Sequence, residues 1–421
     1  MAANKRLLMI AYHYPPCHGS SGLQRTLAFT RYLTRYGWDP ALLTVSVGAY
    51  EKTSNSLMNA VPADMPIERV MTLDIARHLS LSGRYPASLA VPDRWVSWRL
   101  AAIRKVNKLV NEFRPDAIWS TYPIATAHMI GSFVARKSGL PWVADMRDPM
   151  VEYDPYTDTH FPESERIRRS RLRIEKNVVE GASKIIFCTE GARSICLDRY
   201  GSHQSDNYHV VPNGYDDAAF VQAEHRLKRS RDVAQTGYKL LHSGTVYPDS
   251  DRGPEALFEA IHNLSERDVL PPGFRLTLRA TGHDDYLERL IKKFKIDGLV
   301  ELAPMVTYQL ALDEMLNSDA LLVIQGPSSN PAIPAKLYEY FRARKPILGL
   351  LHPEGDTSAL LQSLNAGVVA PLDDPGRIAA AMQELLSCDK RDRSLTVSDR
   401  DLPKFSRETQ TGDLARVLNS L

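Results

Sequence analysis

Short unbroken apolar runs recur along this chain. Each is followed by a polar turn bearing Gly, Pro, Ser or Asn, and then by a stretch whose apolar positions fall at helical spacing. In the first half the runs are Leu7–Ala11, Ala41–Val47, Asp116–Ser120, Pro141–Ala144, Lys184–Cys188 and Tyr208–Pro212. In the second half they are Tyr238–His242, Glu301–Met305, Leu321–Ile324, Pro346–Leu351 and Gly367–Ala370. Runs this short and this apolar predict strands covered on both faces, as in a parallel sheet. Helices are predicted from about Leu23 to Tyr36, over Trp95–Phe113, across the basic Arg166–Lys176, over Ala335–Ala343, near Pro375–Leu386 and from Phe405-Ser406-Arg407-Glu408 onward. In Trp95–Phe113 the core face is read as Leu100, Ile103, Val106, Leu109, Val110 and Phe113, interleaved with Arg99, Arg104, Lys105 and Lys108. Residues 51–93 show no clear period, and Val151–Pro162 reads as a mobile acidic and aromatic loop. Strand–helix alternation carried through twice predicts an α/β protein of two Rossmann-like parallel-sheet domains.

A length of 421 residues agrees with two domains. The polar, basic stretch from Val221 to about Gly237 reads as the linker, giving domains at 1–225 and 226–402 and a final segment at 403–421. A net charge of +2 argues against a nucleic-acid protein held by overall charge, so no nucleic-acid partner is expected. The four cysteines (Cys17, Cys188, Cys196, Cys388) have no paired metal spacing and read as thiols of a reducing compartment. The N-terminal apolar run is too short for a signal peptide and reads as a first strand. No window reaches the length of a membrane span, so a cytoplasmic, soluble or peripheral protein is expected.

The richest chemistry lies in Leu321–Leu351, which reads strand, loop, helix, strand. In an open parallel sheet ligands sit outside the carboxyl ends of the strands. A helix that begins there aims free N–H groups at an anion. Pro334 fits the first turn of the helix, where its missing N–H costs nothing. Lys336 lies in that turn, within reach of a phosphate. Glu339 shares its face, and its carboxylate can accept two hydrogen bonds from a ribose diol. The loop His13 to Gly22, with Gly19, Ser20, Ser21 and Gly22 entering a helix, is also suited to close approach by a diphosphate. It is neither a dinucleotide GxGxxG nor a Walker loop. Asp145-Met146-Arg147-Asp148-Pro149 puts charges at a strand's carboxyl end. Each stretch also has a plain structural reading: a buried turn with a solvated lysine, a tight turn packing a helix on a sheet, or Arg147 paired with an aspartate.

The phrase PAKLYEYFRARKPILG resembles the nucleotide-sugar site of GT-B glycosyltransferases, in particular the large retaining family 4. That family often carries two glutamates eight positions apart here. This chain has Glu339 as the second and Pro331 where the first would stand, and it is similar to a branch with a Lys-x-x-Glu-Tyr version. The loop before Arg25 resembles the family's PPxxGGxxR. DMRDP resembles Asp-x-Arg-Asp-Pro, VVPNGYDDAAF the end of the N-terminal domain, and Ser243-Gly244-Thr245 with Arg252 the first turn of the donor domain. Arg279–Gly282 stands where the family has a second such turn.

The resemblance implies a GT-B fold of two facing domains with a cleft between them, and a last helix that packs back on the first domain. It implies transfer of a sugar from a nucleoside diphosphate sugar, most simply of UDP or GDP, to a glycan or lipid-linked hydroxyl, with no metal and no permanently bound cofactor. The implied catalytic residues are Arg252, Lys336, His128 and Asp145. Donor contacts would come from Gly19, Ser20, Ser21, Gly22, Gly244, Thr245, Arg252, Gly282, Lys336, Leu337 and Glu339. The acceptor side would hold His13, Arg25, Arg147 and Asp148. Asp249-Ser250-Asp251 has Asp-x-Asp spacing and is read as loop polarity. The basic helices offer peripheral contact with the inner face of a membrane, where lipid-linked acceptors reside, or remain solvated faces. Alternatives on the same fold are a nucleotide-sugar epimerase or a phosphorylase. An alternative of another class is a non-catalytic sugar-nucleotide or glycan-binding subunit of a glycan assembly complex.

Overall fold

A computed structural model describes residues 3–18, 21–79, 85–155, 158–201, 205–229, 237–248, 253–388 and 394–421. The chain divides into two compact units, Met1–Asn213 with Arg407–Leu421, and Gly214–Ser406.

The first unit contains β1 (Lys5–Ile10), α1 (Ser21–Tyr32), β2 (Trp38–Val45), β3 (Ile67–Val70), α2 (Ile75–His78), α3 (Trp98–Phe113), β4 (Ala117–Thr121), α4 (Ala125–Ser138) and β5 (Trp142–Arg147). It continues with β6 (Glu152–Asp154), β7 (Thr159–Phe161), α5 (Glu165–Gly181), β8 (Lys184–Phe187), α6 (Glu190–Tyr200) and β9 (Tyr208–Val210). Seven strands form a sheet in the order β3-β2-β1-β4-β5-β8-β9, all pairs parallel. Alternate residues of β1 serve opposite cores. Leu8 and Ile10 pack with α3, α4 and α5, whereas Leu7 and Met9 pack with α1 and the C-terminal helix. This two-sided burial explains the unbroken apolar runs.

The second unit contains α7 (Asp217–Arg229), β10 (Lys239–Ser243), α8 (Glu255–Glu266), β11 (Arg275–Arg279), α9 (Asp284–Lys293), β12 (Val300–Ala303) and α10 (Tyr308–Asn317). There follow β13 (Ala320–Ile324), α11 (Ala335–Ala343), β14 (Ile347–Leu350), α12 (Asp356–Ser363), β15 (Gly367–Ala370) and α13 (Pro375–Ser387). Its sheet runs β12-β11-β10-β13-β14-β15, again all parallel. In both sheets the strand order reverses beside the unit's first strand, between β1 and β4 and between β10 and β13. Those are the switch points at which doubly wound sheets bind ligands. The final helix α14 (Arg407–Asn419) belongs to the first unit. There it packs on α1, and Trp38 donates its indole N–H to Asn419 Oδ1 at 3.1 Å.

Four sequence expectations are corrected. The stretch read as a linker is largely α7, which buries Phe220 and Ala223. Its charges are spent on neighbours: Arg226 pairs with Asp313 of α10 at 2.8 Å, and Asp217 and Glu224 both pair with Arg342 of α11. The expected loop over 151–162 contains the antiparallel pair β6–β7, with Tyr153 opposite His160. In α3, Leu100 is 67% exposed, and the core face is Trp98, Ala102 and Val106. Two residues from Trp98 is about 200° around the helix, so Leu100 turns away from the sheet. Pro334 stands at the N-cap of α11, one residue before the first turn. No helix among the described residues is long and apolar enough to cross a membrane.

Candidate functional site

The carboxyl end of β10 and the first turns of α11 form one constellation at the switch point of the second sheet. Residues Lys336 and Tyr340 are four apart and so lie on one face of α11. The Tyr340 hydroxyl accepts a hydrogen bond from the Ser243 N–H at 3.1 Å. Lys336 reaches over Gly244, where a Cβ would stand 2.6 Å from Nζ. Gly244 has φ +134°, so glycine serves there both for the backbone conformation and for the space the ammonium occupies.

Beneath lies His242, fully buried, its Nδ1 2.9 Å from the Leu322 carbonyl. Only a protonated Nδ1 can donate to that carbonyl. This leaves the Nε2 lone pair to face Lys336 Nζ at 3.5 Å. Burial and the neighbouring ammonium push the imidazole down to about 3. It therefore stays neutral at working pH and does not repel Lys336. Burial lowers the Lys336 pKa to about 8, partly offset by Glu339. Glu339, three residues on, accepts a hydrogen bond from the Tyr308 hydroxyl at 3.0 Å. Gly282 lies at the neighbouring turn, where a Cβ would stand 3.7 Å from Thr245 Cγ2. Gly244, Thr245, Gly282, Lys336 and Glu339 thus belong to adjacent turns at one edge of the second sheet. Leu337 is different: its side chain is in the core and its N–H donates to the Pro334 carbonyl at 2.9 Å. The loop before α11 is tied by Gln325, whose amide donates to the Ser329 and Ala332 carbonyls. Gln325 in turn accepts from Thr357 at 2.6 Å. Pro331 lies within that tied loop. Arg252, Gly19, Ser20 and Asp249-Ser250-Asp251 lie outside the described residues.

A second constellation stands at the carboxyl ends of β1, β4 and β5. Asp145 is fully buried in β5 and binds Arg25 of α1 through two bonds, each 2.9 Å. It also accepts from Thr121 at 3.0 Å. The remaining Arg25 nitrogen, Nη1, donates to the Pro212 carbonyl at 2.9 Å. Burial opposes the Arg25 charge, but Asp145 outweighs it and holds the guanidinium above its usual range. Asp145 and Arg25 therefore serve each other. Arg147 has φ +62° at a register shift in β5, an uncommon backbone for a residue other than glycine, and it donates to the Tyr122 carbonyl at 3.2 Å. Beside it Asp148 is raised by burial, against the pull of Arg147 and Arg25. His13 is lowered to about 4 by burial and by Arg147. The structure thus collects His13, Arg25, Asp145, Arg147 and Asp148. Gly22 enters α1 nearby in sequence, its carbonyl accepting from Thr26 at 3.2 Å, and Ser21 is the first residue of that helix.

His128 is not part of this group. It is wholly buried in α4, bound through Nδ1 to Ser120 Oγ at 2.7 Å, and lowered to about 4 by burial. Sequence reasoning missed His242, Tyr308 and Tyr340. A polar residue closing the apolar Tyr238–His242 run just before Ser-Gly was the available signal for His242. The four-residue spacing from Lys336 was the signal for Tyr340. Nothing local marks Tyr308.

Residues 22–214 match the family model described as "Glycosyl transferase 4-like domain". Among curated proteins no significant match is found. HepE of Anabaena, solved in complex with UDP, superposes with a TM-score of 0.68 at 16% identity, over 99% of this chain and 100% of that one. The sucrose-phosphate synthase of Thermosynechococcus elongatus gives 0.65 at 14% identity, over 99% of each chain. The α,α-trehalose 6-phosphate synthase of Burkholderia multivorans gives 0.68 at 12%, over 99% and 97%. Residues 22–214 are accordingly similar to a glycosyl transferase 4-like domain, and the chain as a whole carries the GT-B fold.

Proposed function

We propose that the protein moves a sugar from a nucleoside diphosphate sugar, with UDP as the carrier, to a hydroxyl acceptor. The observation that carries this reading is the desolvated Lys336 ammonium, held over Gly244 at the switch point of the second sheet. The reaction must stabilise charge that develops on the leaving diphosphate. A fixed cation and free helix N–H groups do so best where water is displaced. His242 positions Lys336 without competing for its charge, and Glu339, oriented by Tyr308, is placed to hold the ribose. Arg147, His13 and Asp148 of the first unit serve the acceptor, with the Arg25–Asp145 pair as their support. Retention of anomeric configuration is proposed by analogy of fold alone.

The acceptor is proposed to be a glycan or lipid-linked hydroxyl at the inner face of a membrane. Support comes from α5, where Arg166, Arg173 and Arg169, the last paired with Glu165, line a surface depression of about 490 Å³. An anionic surface is the complement of such a face.

The reading is tested by titrating UDP and UDP-sugars against the intact chain. Ligand at a hundredfold excess over Kd adds about 2.7 kcal/mol to native stability, or roughly 5–10 °C in midpoint. No shift with UDP, and no UDP released from any UDP-sugar in the presence of acceptors, would end it.

A pH dependence follows from Lys336. Bound diphosphate favours the charged amine, so binding takes up a proton once the free site has lost one. UDP affinity should be nearly level from pH 6.5 to 7.5. Above about pH 8 it should fall by roughly tenfold per unit, because each further unit removes tenfold of the charged form. Calorimetry in buffers of different ionisation enthalpy should record the uptake. Affinity that holds constant to pH 10 would deny the amine its role.

A further inference from the structure

The first unit has a cavity of about 200 Å³ where α3, α4 and α5 meet, lined by none of the residues assigned above to donor and acceptor. Its polar lining is Arg99, His128, Ser132, Arg136 and Asn177, and none of the described lining residues is acidic. Two nitrogens of this lining, His128 Nε2 and Arg99 Nε, are shut off from solvent and have no hydrogen-bond partner. Buried polar atoms without partners are uncommon and call for a water, an ion or a ligand to satisfy them. Neither Arg99 nor Arg136 has an ion pair among the described residues.

The hydrogen-bond order at the cavity floor fixes what His128 offers. Ser120 Oγ accepts from the Trp142 indole N–H at 2.8 Å, and the same oxygen lies 2.7 Å from His128 Nδ1. The serine's own proton is satisfied if it is donated to Nδ1. The neutral ring then carries its hydrogen on Nε2. Burial, which pushes this histidine down to about 4, keeps it in that single-proton form. Gly131 permits the arrangement, since a Cβ there would stand 2.8 Å from both Ser120 Oγ and Trp142 Nε1. A fixed N–H donor, the Arg99 guanidinium and the Arg136 guanidinium thus serve one cavity, with no bonded acceptor of their own among the described residues.

We infer that this cavity binds a phosphate monoester. Guanidinium forks match a phosphate's oxygens, and an uncharged N–H adds a direction. The volume equals that of about seven waters in the liquid, enough for a phosphate and a short carbon stub. The stub can come from a free metabolite or from a lipid headgroup. The inference does not depend on the transferase reading, because no residue of the cavity belongs to the proposed donor or acceptor groups.

The test uses the full chain with UDP present in saturating amount, so that phosphate binding in the diphosphate site cannot mimic the result. Glycerol 3-phosphate is titrated by calorimetry, and vesicles containing phosphatidate are tested by co-sedimentation. Wild type is compared with Arg99→Gln, Arg136→Gln and the double variant. The single variants should bind glycerol 3-phosphate, phosphatidate or both several-fold more weakly, and the double variant at least tenfold more weakly. UDP affinity should stay unchanged in all. The nitrogen-15 signal of His128 Nε2–H should move on binding in wild type. Soluble binding alone identifies a metabolite, and vesicle binding alone a headgroup. The proposal is overturned if wild type binds neither probe, or if the double variant binds both as wild type does.

Discussion

Replacing Lys336 by Met is expected to abolish most transfer and at the same time to stabilise the fold. Removing one charge-stabilising donor from a preorganised site costs about 10²–10³ in kcat. The gain in stability follows from the shifted pKa. The amine falls from 10.5 in the open chain to about 8 in the folded one. Between those values the unfolded chain binds more protons, so native stability rises with pH through that window. Below pH 8 the desolvated ammonium weighs against the fold by up to about 3 kcal/mol, at 1.36 kcal/mol per unit. A methionine of similar length fills the same space without that cost. Denaturant unfolding at pH 7 should show a higher midpoint for the variant, and the rise in stability that wild type shows between about pH 8 and 10.5 should be absent from it. A site that lowers stability for a charge placed over a glycine is one maintained for function. If Lys336→Met keeps full transfer activity, the second unit's constellation is not the donor site.

The second large effect is structural. Changing Asp145 to Ala leaves the Arg25 guanidinium, 3% exposed, without its bidentate partner. Breaking a buried pair from one side costs roughly 3–5 kcal/mol, because the remaining charge is uncompensated. The midpoint of unfolding should fall accordingly. The double replacement Arg25→Met with Asp145→Leu should recover much of the loss, since the desolvation penalty of both charges goes with them. Activity in the double variant then separates support from chemistry. If it folds well yet loses acceptor affinity, the pair positions Arg147 and Asp148. If single and double variants unfold alike, the pairing energy has been misjudged.

The sequence alone carried most of the elements and their kind, though not α7 or the β6–β7 pair. Strands buried on both faces must be apolar throughout, so Leu7–Ala11 and Leu321–Ile324 were legible as parallel strands. Lys336 and Glu339 were legible as sharing a helix face, because three-residue spacing puts them there whatever surrounds the helix. The GT-B fold was also legible, through short phrases at strand ends where backbone geometry restricts the residue types.

Only the tertiary structure decided which side chains meet. Arg25 and Asp145 stand 120 residues apart, and His242 and Lys336 94 apart. No local period encodes the strand order that makes them neighbours. Whether a polar residue is solvated or enclosed is likewise settled by packing. Glu224 and Arg226 read as linker polarity until α11 and α10 supplied their partners. His128 read as catalytic until α4 laid it on Ser120, inside the first unit. Local pattern sets the conformation of a segment, but burial and partnership belong to the assembled fold, and in this protein they determine which candidate residues can touch a ligand.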